Sequence, residues 1–159
     1  MKNFICVIGI CVFVLGLGTT ACKSNRNVIS GKFSSNSDLS RIDENLVEKK
    51  WTLTEINGVA LSSMDPKPTI EAFIIFQVNE NRVSGNSGCN NFSGTYKSES
   101  GGAMKFSGVA STRRMCLDMT IENQMNKIFG EVDNYSIQNG VLILYKTKTA
   151  LAKFEVSKL

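Results

Sequence analysis

The chain has 159 residues, a formal net charge of +4 and no histidine. Without histidine it cannot build imidazole-dependent serine or cysteine catalytic triads, or histidine-ligated zinc sites. Its basic residues are dispersed rather than clustered among aromatic residues, so the charge pattern does not favour nucleic-acid binding.

Residues 1–21 have the layout of a bacterial export signal. Lys2 precedes an apolar run at 4–17, which is shorter than the roughly 20 residues of a membrane-spanning helix. The end of this segment, Thr20-Ala21-Cys22, resembles a lipobox, the motif in which the cysteine thiol receives a diacylglycerol. We therefore expect a lipidated Cys22 and a lipid anchor in the cell envelope, at the outer membrane on its periplasmic or surface side. The alternative is an ordinary secretory signal with a chance cysteine.

Residues 22–47 are predicted to be the lipidated cysteine and a flexible tether. Small polar residues dominate this segment, which carries too little apolar surface to offset the entropy of ordering. Residues 48–159 are predicted to form one monomeric domain.

Five cysteines are present, and their positions predict one disulfide. Cys6 and Cys11 leave with the signal peptide, and Cys22 is assigned to the lipid. Cys89 and Cys116 remain in a compartment where disulfides persist, and the bridge would stabilise the fold by roughly 3–4 kcal/mol. The alternative is a pair of buried free thiols.

Alternating apolar and polar residues predict about seven strands in the domain. The first is Trp51–Ile56, ending at the turn-prone pair Asn57-Gly58. A long strand at Ile70–Val78 follows, then a strand at Phe92–Lys97. The chain ends in a meander around a second hairpin signal, Asn139-Gly140.

One amphipathic helix is predicted before the meander. Its apolar residues follow helical spacing and indicate a face packed in the core rather than a binding groove: Ile121, Met125, Ile128, Phe129 and Val132. Asp118 or Thr120 is the expected N-cap, and Glu122 is expected to interact with the positive end of the helix dipole.

Two cysteine-bearing motifs carry a resemblance to a known family. The first has the pattern G-C-N-x-F-x-G-x-Y, at Gly88, Cys89, Asn90, Phe92, Gly94 and Tyr96. The second comprises Thr112, Met115 and Cys116, just before the predicted helix. In this order they resemble the signatures of META domains, the HslJ-like family, over about residues 48–156.

The resemblance implies an α+β fold, mostly antiparallel β: an incomplete barrel of about seven strands with one amphipathic helix against its open side. The family is associated with bacterial envelope proteins, and one branch is heat-inducible and linked to antibiotic tolerance. Its biochemical activity is not defined.

No catalytic residue, metal site or cofactor is expected, and no P-loop or Rossmann pattern occurs. The leading hypothesis is a non-catalytic envelope lipoprotein that supports stress tolerance by binding an envelope protein. The alternatives are a small-molecule carrier that uses the barrel interior and an inhibitor of an envelope hydrolase that uses the loop Leu61–Thr69.

A polar surface is the candidate for the partner contact. It comprises Asn86, Asn90, Asn91, Arg113 and Arg114. The competing interpretation is structural: Asn90 and Asn91 can bond their own backbone in a tight turn.

Overall fold

A computed structural model of the protein describes residues 43–99 and 101–157. The predicted signal peptide, Cys22 and most of the predicted tether lie outside the described residues. The described part contains nine strands and one α-helix, in the order β1 (Lys50–Ile56), β2 (Val59–Ala60), β3 (Phe73–Phe76), β4 (Arg82–Asn86), β5 (Asn91–Ser98), β6 (Met104–Ser111), α1 (Thr120–Glu131), β7 (Asn134–Gln138), β8 (Val141–Lys146) and β9 (Thr149–Ser157).

All strand pairs are antiparallel, and the sheet order is β6-β5-β4-β3-β1-β9-β8-β7, with β2 paired to β1. The expected incomplete barrel of about seven strands is corrected to an open sheet of nine, neither closed nor strongly curled. Strands β6 and β7 are the two edge strands of the sheet. An isolated bridge from Ala103 to Asn134 links the two edges at one point.

Hairpin turns explain part of the difference in strand count. Asn57 and Gly58 both have positive φ, which matches the twist of a two-residue hairpin, so β2 folds back on β1 where the sequence predicted only a stop. The same geometry at Asn139 and Gly140 confirms the hairpin predicted there, which joins β7 to β8.

Strand β3 is shorter than the predicted strand Ile70–Val78. Ladder pairing with β1 and β4 is confined to Phe73–Phe76. Beyond it, Val78 donates its N–H to a side chain, the carboxylate of Glu48, at 2.9 Å. The apolar run therefore overestimated the length of the ladder, and its last residue, Val78, is exposed.

The predicted helix is confirmed as α1, and its apolar face packs on the sheet. Phe129 lies 4.6 Å from Phe92 on β5 and 5.2 Å from Phe106 on β6, measured between ring centroids. The N-cap position belongs to Met119 instead of Asp118 or Thr120, although Asp118 accepts the N–H of Thr120 at 2.8 Å. None of the described helices is long and apolar enough to cross a membrane.

Residues 43–49 lie at one end of the sheet, which we name the proximal end. The N–H of Glu48 bonds to the carbonyl of Phe76, the last residue of β3, at 2.8 Å. The indole of Trp51 donates to the carbonyl of Leu46 at 2.8 Å. The described chain therefore joins the sheet where β3 ends, and the segment that precedes β3 lies at the opposite end.

Two buried tyrosines predict a loss of stability at alkaline pH. Burial raises the pKa of Tyr96 to about 12, and burial followed by the charge of Asp43 raises the pKa of Tyr135 to about 12. Between pH 10 and 12 the unfolded chain loses these protons while the folded chain keeps them, so the free energy of unfolding falls as pH rises. Urea titrations should show this fall, and it should be smaller in Tyr96→Phe and Tyr135→Phe. If the free energy of unfolding falls as much in both variants as in the unsubstituted protein, the assignment to these tyrosines is wrong.

Candidate functional site

A disulfide ties the turn between β4 and β5 to the segment between β6 and α1, residues 112–119, which we call the β6–α1 loop. Cys89 and Cys116 are bonded, with their Cα atoms 6.1 Å apart. This confirms the pairing predicted from the sequence over two free thiols. The bridge holds the β6–α1 loop against the end of the sheet opposite the proximal end.

Asn90 is the centre of a buried hydrogen-bond network. Its side-chain oxygen accepts from the Thr112 hydroxyl and the Arg114 N–H, both at 2.7 Å. Its amide nitrogen donates to the Arg114 carbonyl at 2.8 Å and to the Glu122 carboxylate at 2.9 Å. With 1% of its surface exposed, Asn90 cannot contact a partner, and its assignment to the partner surface is corrected to a structural one.

Glu122 is the buried charged residue that sequence reasoning did not place in this network. It is 5% exposed, and its carboxylate also accepts the backbone N–H of Asn90 at 3.1 Å. The sequence contained a usable signal: Glu122 precedes Met125 by three residues and Phe129 by seven, so it falls on the buried face of α1.

The glycine of the first motif brings this network against the helix. Gly88 has φ +104°, and a Cβ at this position would lie 3.1 Å from the Cβ of Ile121. A side chain here is therefore disfavoured both by the backbone conformation and by the contact. The other motif residues also build the fold: Phe92 and Tyr96 are buried, and Gly94 lets β6 approach closely at Val109.

Asn86 and Asn91 are bonded to each other rather than left free. The Asn86 amide donates to the Asn91 side-chain oxygen at 2.9 Å, and the Asn86 oxygen accepts the N–H of Gly88 at 2.8 Å. Asn91 is exposed. Of the five predicted surface residues, Asn91, Arg113 and Arg114 are exposed, Asn86 is half-buried and Asn90 is buried.

Two large apolar side chains of the β6–α1 loop are exposed, and the sequence analysis did not single them out as a surface. Met115 is 92% exposed, and Leu117 is fully exposed. Arg114 donates from its guanidinium to the Cys89 carbonyl at 2.9 Å, which fixes the loop beside them. The hydrogen bonds of Asp118 to Thr120 lower the pKa of the Asp118 carboxyl, so it stays ionised at the helix N-terminus.

A groove of about 530 Å³ lies between the β6–α1 loop and the segment 66–70 that precedes β3. Its lining combines apolar side chains with two cations and two carboxylates: Pro66, Pro68, Ile70, Ile121, Lys67, Arg114, Asp118 and Glu122. We call the groove and its exposed rim residues Lys67, Met115 and Leu117 the distal face. Strand β5 alone, with eight residues, spans about 27 Å. The distal face and the proximal end of the sheet are therefore well separated.

The META domain family model matches residues 44–158. The chain belongs to the META domain family. The match covers both cysteine-bearing motifs and every described strand and helix, so the resemblance drawn from the motifs is confirmed.

Three solved structures resemble this META domain. A protein from Burkholderia xenovorans solved by NMR has TM-score 0.58 and 20% identity, covering 72% of this chain and 85% of its own. A second NMR structure has TM-score 0.53 and 28% identity, covering 70% of this chain and 92% of its own. A DUF4847 family protein from Bacteroides vulgatus has TM-score 0.54 and 14% identity, covering 72% of this chain and 96% of its own. At such identities the first and third show a shared fold, and no curated protein matches the chain.

The distal face of this META domain combines exposed apolar side chains with charged ones. In residues 43–99 and 101–157 no group of three or more His, Cys, Asp or Glu side chains is placed to hold a metal ion. The buried carboxylate of Glu122 is hydrogen-bonded to Asn90, and the buried side-chain polar atoms in this part of the chain all have partners. The distal face carries exposed apolar side chains, the cations Lys67 and Arg114 and the carboxylate of Asp118.

Proposed function

We propose that this protein is a lipid-anchored envelope protein whose META domain acts without catalysis by binding a partner protein at the distal face. The observation that carries the proposal is the exposure of Met115 and Leu117 beside a groove, on a loop held by a disulfide. Large exposed apolar side chains at one site mark interaction surfaces, and a loop that is already fixed loses little entropy on binding.

The described chain enters the META domain at the end opposite the distal face. The segment that leads back to Cys22 joins the sheet at residues 43–49, beside the end of β3. The distal face lies beyond the start of β3. The distal face is therefore at the end of the domain opposite to the point where the described chain begins.

Packing of the interior supports this role over the carrier alternative. Met125, Ile128 and Phe129 on α1 are at most 5% exposed and belong to one continuous core cluster with the sheet. These three residues of the apolar helix face are thus packed against protein side chains, and Ile121 at the start of the helix borders the groove. A stress-tolerance role fits within the proposal, because a contact that stabilises or recruits a partner requires no chemistry.

The inhibitor alternative has less support from the loop on which it depended. In the segment Leu61–Thr69, Leu61 and Met64 pack against the core, and its second half forms a wall of the groove. An inhibitory loop would need to project from the domain, and this segment lies along it.

Site-specific photo-crosslinking in intact bacteria tests both parts of the proposal. A photoreactive residue in place of Leu117 should give protein-sized adducts, whereas the same residue in place of Val156 should give few. Val156 is a matched control because it is an exposed aliphatic residue, 46% exposed, paired with Trp51 near the proximal end. Cys22→Ser should release the protein from the membrane fraction or leave an uncleaved precursor. Equal protein adducts at both positions, or adducts with lipid alone at position 117, would overturn the binding role.

A further inference from the structure

We propose that Met115 is an oxidation site that switches the rim of the distal face between an apolar and a polar state. The inference rests on the proposed function and adds regulation to the same site. The reagents are two-electron oxidants such as hypochlorous acid, which convert a methionine thioether into a sulfoxide. The observation that carries it is the exposure of this thioether beside Leu117, on a loop that the disulfide holds in place.

The methionines that the structure describes differ widely in exposure. Met115 is 92% exposed, whereas Met104 and Met125 are 3% and 0% exposed. Met64 and Met119 are half-buried. Because the oxidant must reach a lone pair of the sulfur, susceptibility follows exposure, and Met115 should react first among these five.

The disulfide leaves Met115 as the reactive sulfur of the β6–α1 loop. Cys116 is the next residue, and its sulfur is bonded to that of Cys89. A thiolate at this position would compete with the thioether for the oxidant, and the bridge removes it. The neighbouring Leu117 contributes hydrocarbon that such oxidants do not modify. Oxidation of the loop is therefore directed to one side chain.

The reaction needs only this side chain, hypochlorous acid and water. The sulfur of Met115 attacks chlorine and displaces hydroxide, and water then displaces chloride from the chlorosulfonium group. Loss of the two protons of that water, one of them to the hydroxide, leaves the sulfoxide. The sulfur is oxidised by two electrons, and the chlorine of hypochlorous acid is reduced to chloride. Thiol-dependent methionine sulfoxide reductases reverse the change.

Oxidation changes the polarity of this surface but not its position. A sulfoxide oxygen is a hydrogen-bond acceptor, so covering it with apolar groups of a partner costs free energy. The loop itself stays fixed, since Asn90 donates to the Arg114 carbonyl at 2.8 Å and accepts the Arg114 N–H at 2.7 Å. The oxidised domain should therefore keep its urea unfolding midpoint and bind its partner about 10-fold more weakly.

Site-resolved mass spectrometry of the full chain tests the modification. The protein is treated with hypochlorous acid below stoichiometric amounts, and the gain of one oxygen is measured at each described methionine. Met115 should be oxidised at least about 10-fold faster than Met104 and Met125. Oxidation in concentrated urea is the control, because unfolding should make the rates similar. Similar rates in the folded protein would overturn the assignment of the site.

Photo-crosslinking from position 117 tests the consequence. Treating intact bacteria with hypochlorous acid before irradiation should reduce the protein adducts about 10-fold. Met115→Leu keeps the hydrocarbon volume and should retain its adducts after the same treatment. Met119→Leu removes the half-buried methionine of the same loop and should lose adducts as the unsubstituted protein does. Met115→Gln carries a permanent polar group and should give few adducts without any oxidant.

The outcomes separate this switch from the proposed function. If oxidation reduces the adducts of Met115→Leu as much as those of the unsubstituted protein, the oxidant acts elsewhere and the switch is overturned. Full capture by Met115→Gln overturns it as well. In both cases, adducts formed without oxidant still support partner binding at the distal face. Absence of protein adducts at position 117 before any oxidation overturns the proposed function, and with it the switch, whatever the rates of oxidation.

Discussion

Replacing Asn90 with alanine is expected to destabilise the domain by about 3–5 kcal/mol. The variant removes the side-chain amide nitrogen that donates to both oxygens of the Glu122 carboxylate, at 2.9 and 3.1 Å, in a site where Glu122 is 5% exposed. A buried carboxylate with too few hydrogen bonds is among the most costly defects that one substitution can create. The bonds to Thr112 and Arg114 are lost as well, but water can replace part of these because both residues are exposed.

Urea unfolding of Asn90→Ala and Asn91→Ala compares the loss of a buried asparagine with the loss of an exposed one. Asn91 is the neighbouring asparagine, exposed and bonded by its side chain only to Asn86, so its replacement should cost less than about 1 kcal/mol. Asn90→Asp provides a second readout, because it places a carboxylate beside Glu122. One of the two groups must then bind a proton to fold, so the variant should gain stability as pH falls. If Asn90→Ala lowers the free energy of unfolding no more than Asn91→Ala does, the buried network contributes little to stability.

Elements defined by local periodicity were predictable from the sequence. Helix α1 and the hairpin at Asn139-Gly140 depend on residues within a few positions of one another, and both are confirmed. The extent of β3 was not predictable in the same way, because ladder pairing depends on β1 and β4 and not on the apolar run itself.

The role of Asn90 could not be read from its own surroundings in the sequence. An asparagine in a turn is usually exposed, and its burial here requires Thr112, Arg114 and Glu122, which lie 22 to 32 positions further along the chain. The disulfide was predictable because counting thiols needs no geometry. A bridge between Cys89 and Cys116 ties the β6–α1 loop to the turn between β4 and β5, but it gives no information on which side chains of the loop point outwards.

Exposure of Met115 and Leu117 has a physical explanation in the same network. Two sets of bonds fix the backbone of the β6–α1 loop between α1 and the turn that joins β4 to β5. Arg114 bonds through its N–H, its carbonyl and its guanidinium, and Cys116 forms the disulfide. With the loop constrained on both sides of Met115, its side chain and that of Leu117 lie on the solvent side. A buried polar network thus maintains an apolar surface, and this links the stability of the domain to its proposed function.

Removing the disulfide with Cys89→Ala and Cys116→Ala together should lower the free energy of unfolding by about 2–5 kcal/mol. The bridge closes a segment of 27 positions, and its loss gives conformational freedom back to the unfolded chain. Differential scanning calorimetry and urea titration should both report the loss. A change below about 1 kcal/mol would show that the bridge does not constrain the unfolded chain.

The same double variant should lose capture at the distal face beyond what its lower stability explains. Assayed well below its melting temperature, it remains folded, but the β6–α1 loop is then held mainly by Asn90 and Arg114. Crosslinking from position 117 should therefore fall several-fold, because a looser loop must be ordered when the partner binds. Gly102→Ala is the matched control: strain in the turn between β5 and β6, outside the groove, lowers stability while the bridge stays in place. If both variants retain full crosslinking, the hydrogen bonds of Asn90 suffice to hold the surface, and the disulfide acts on stability alone.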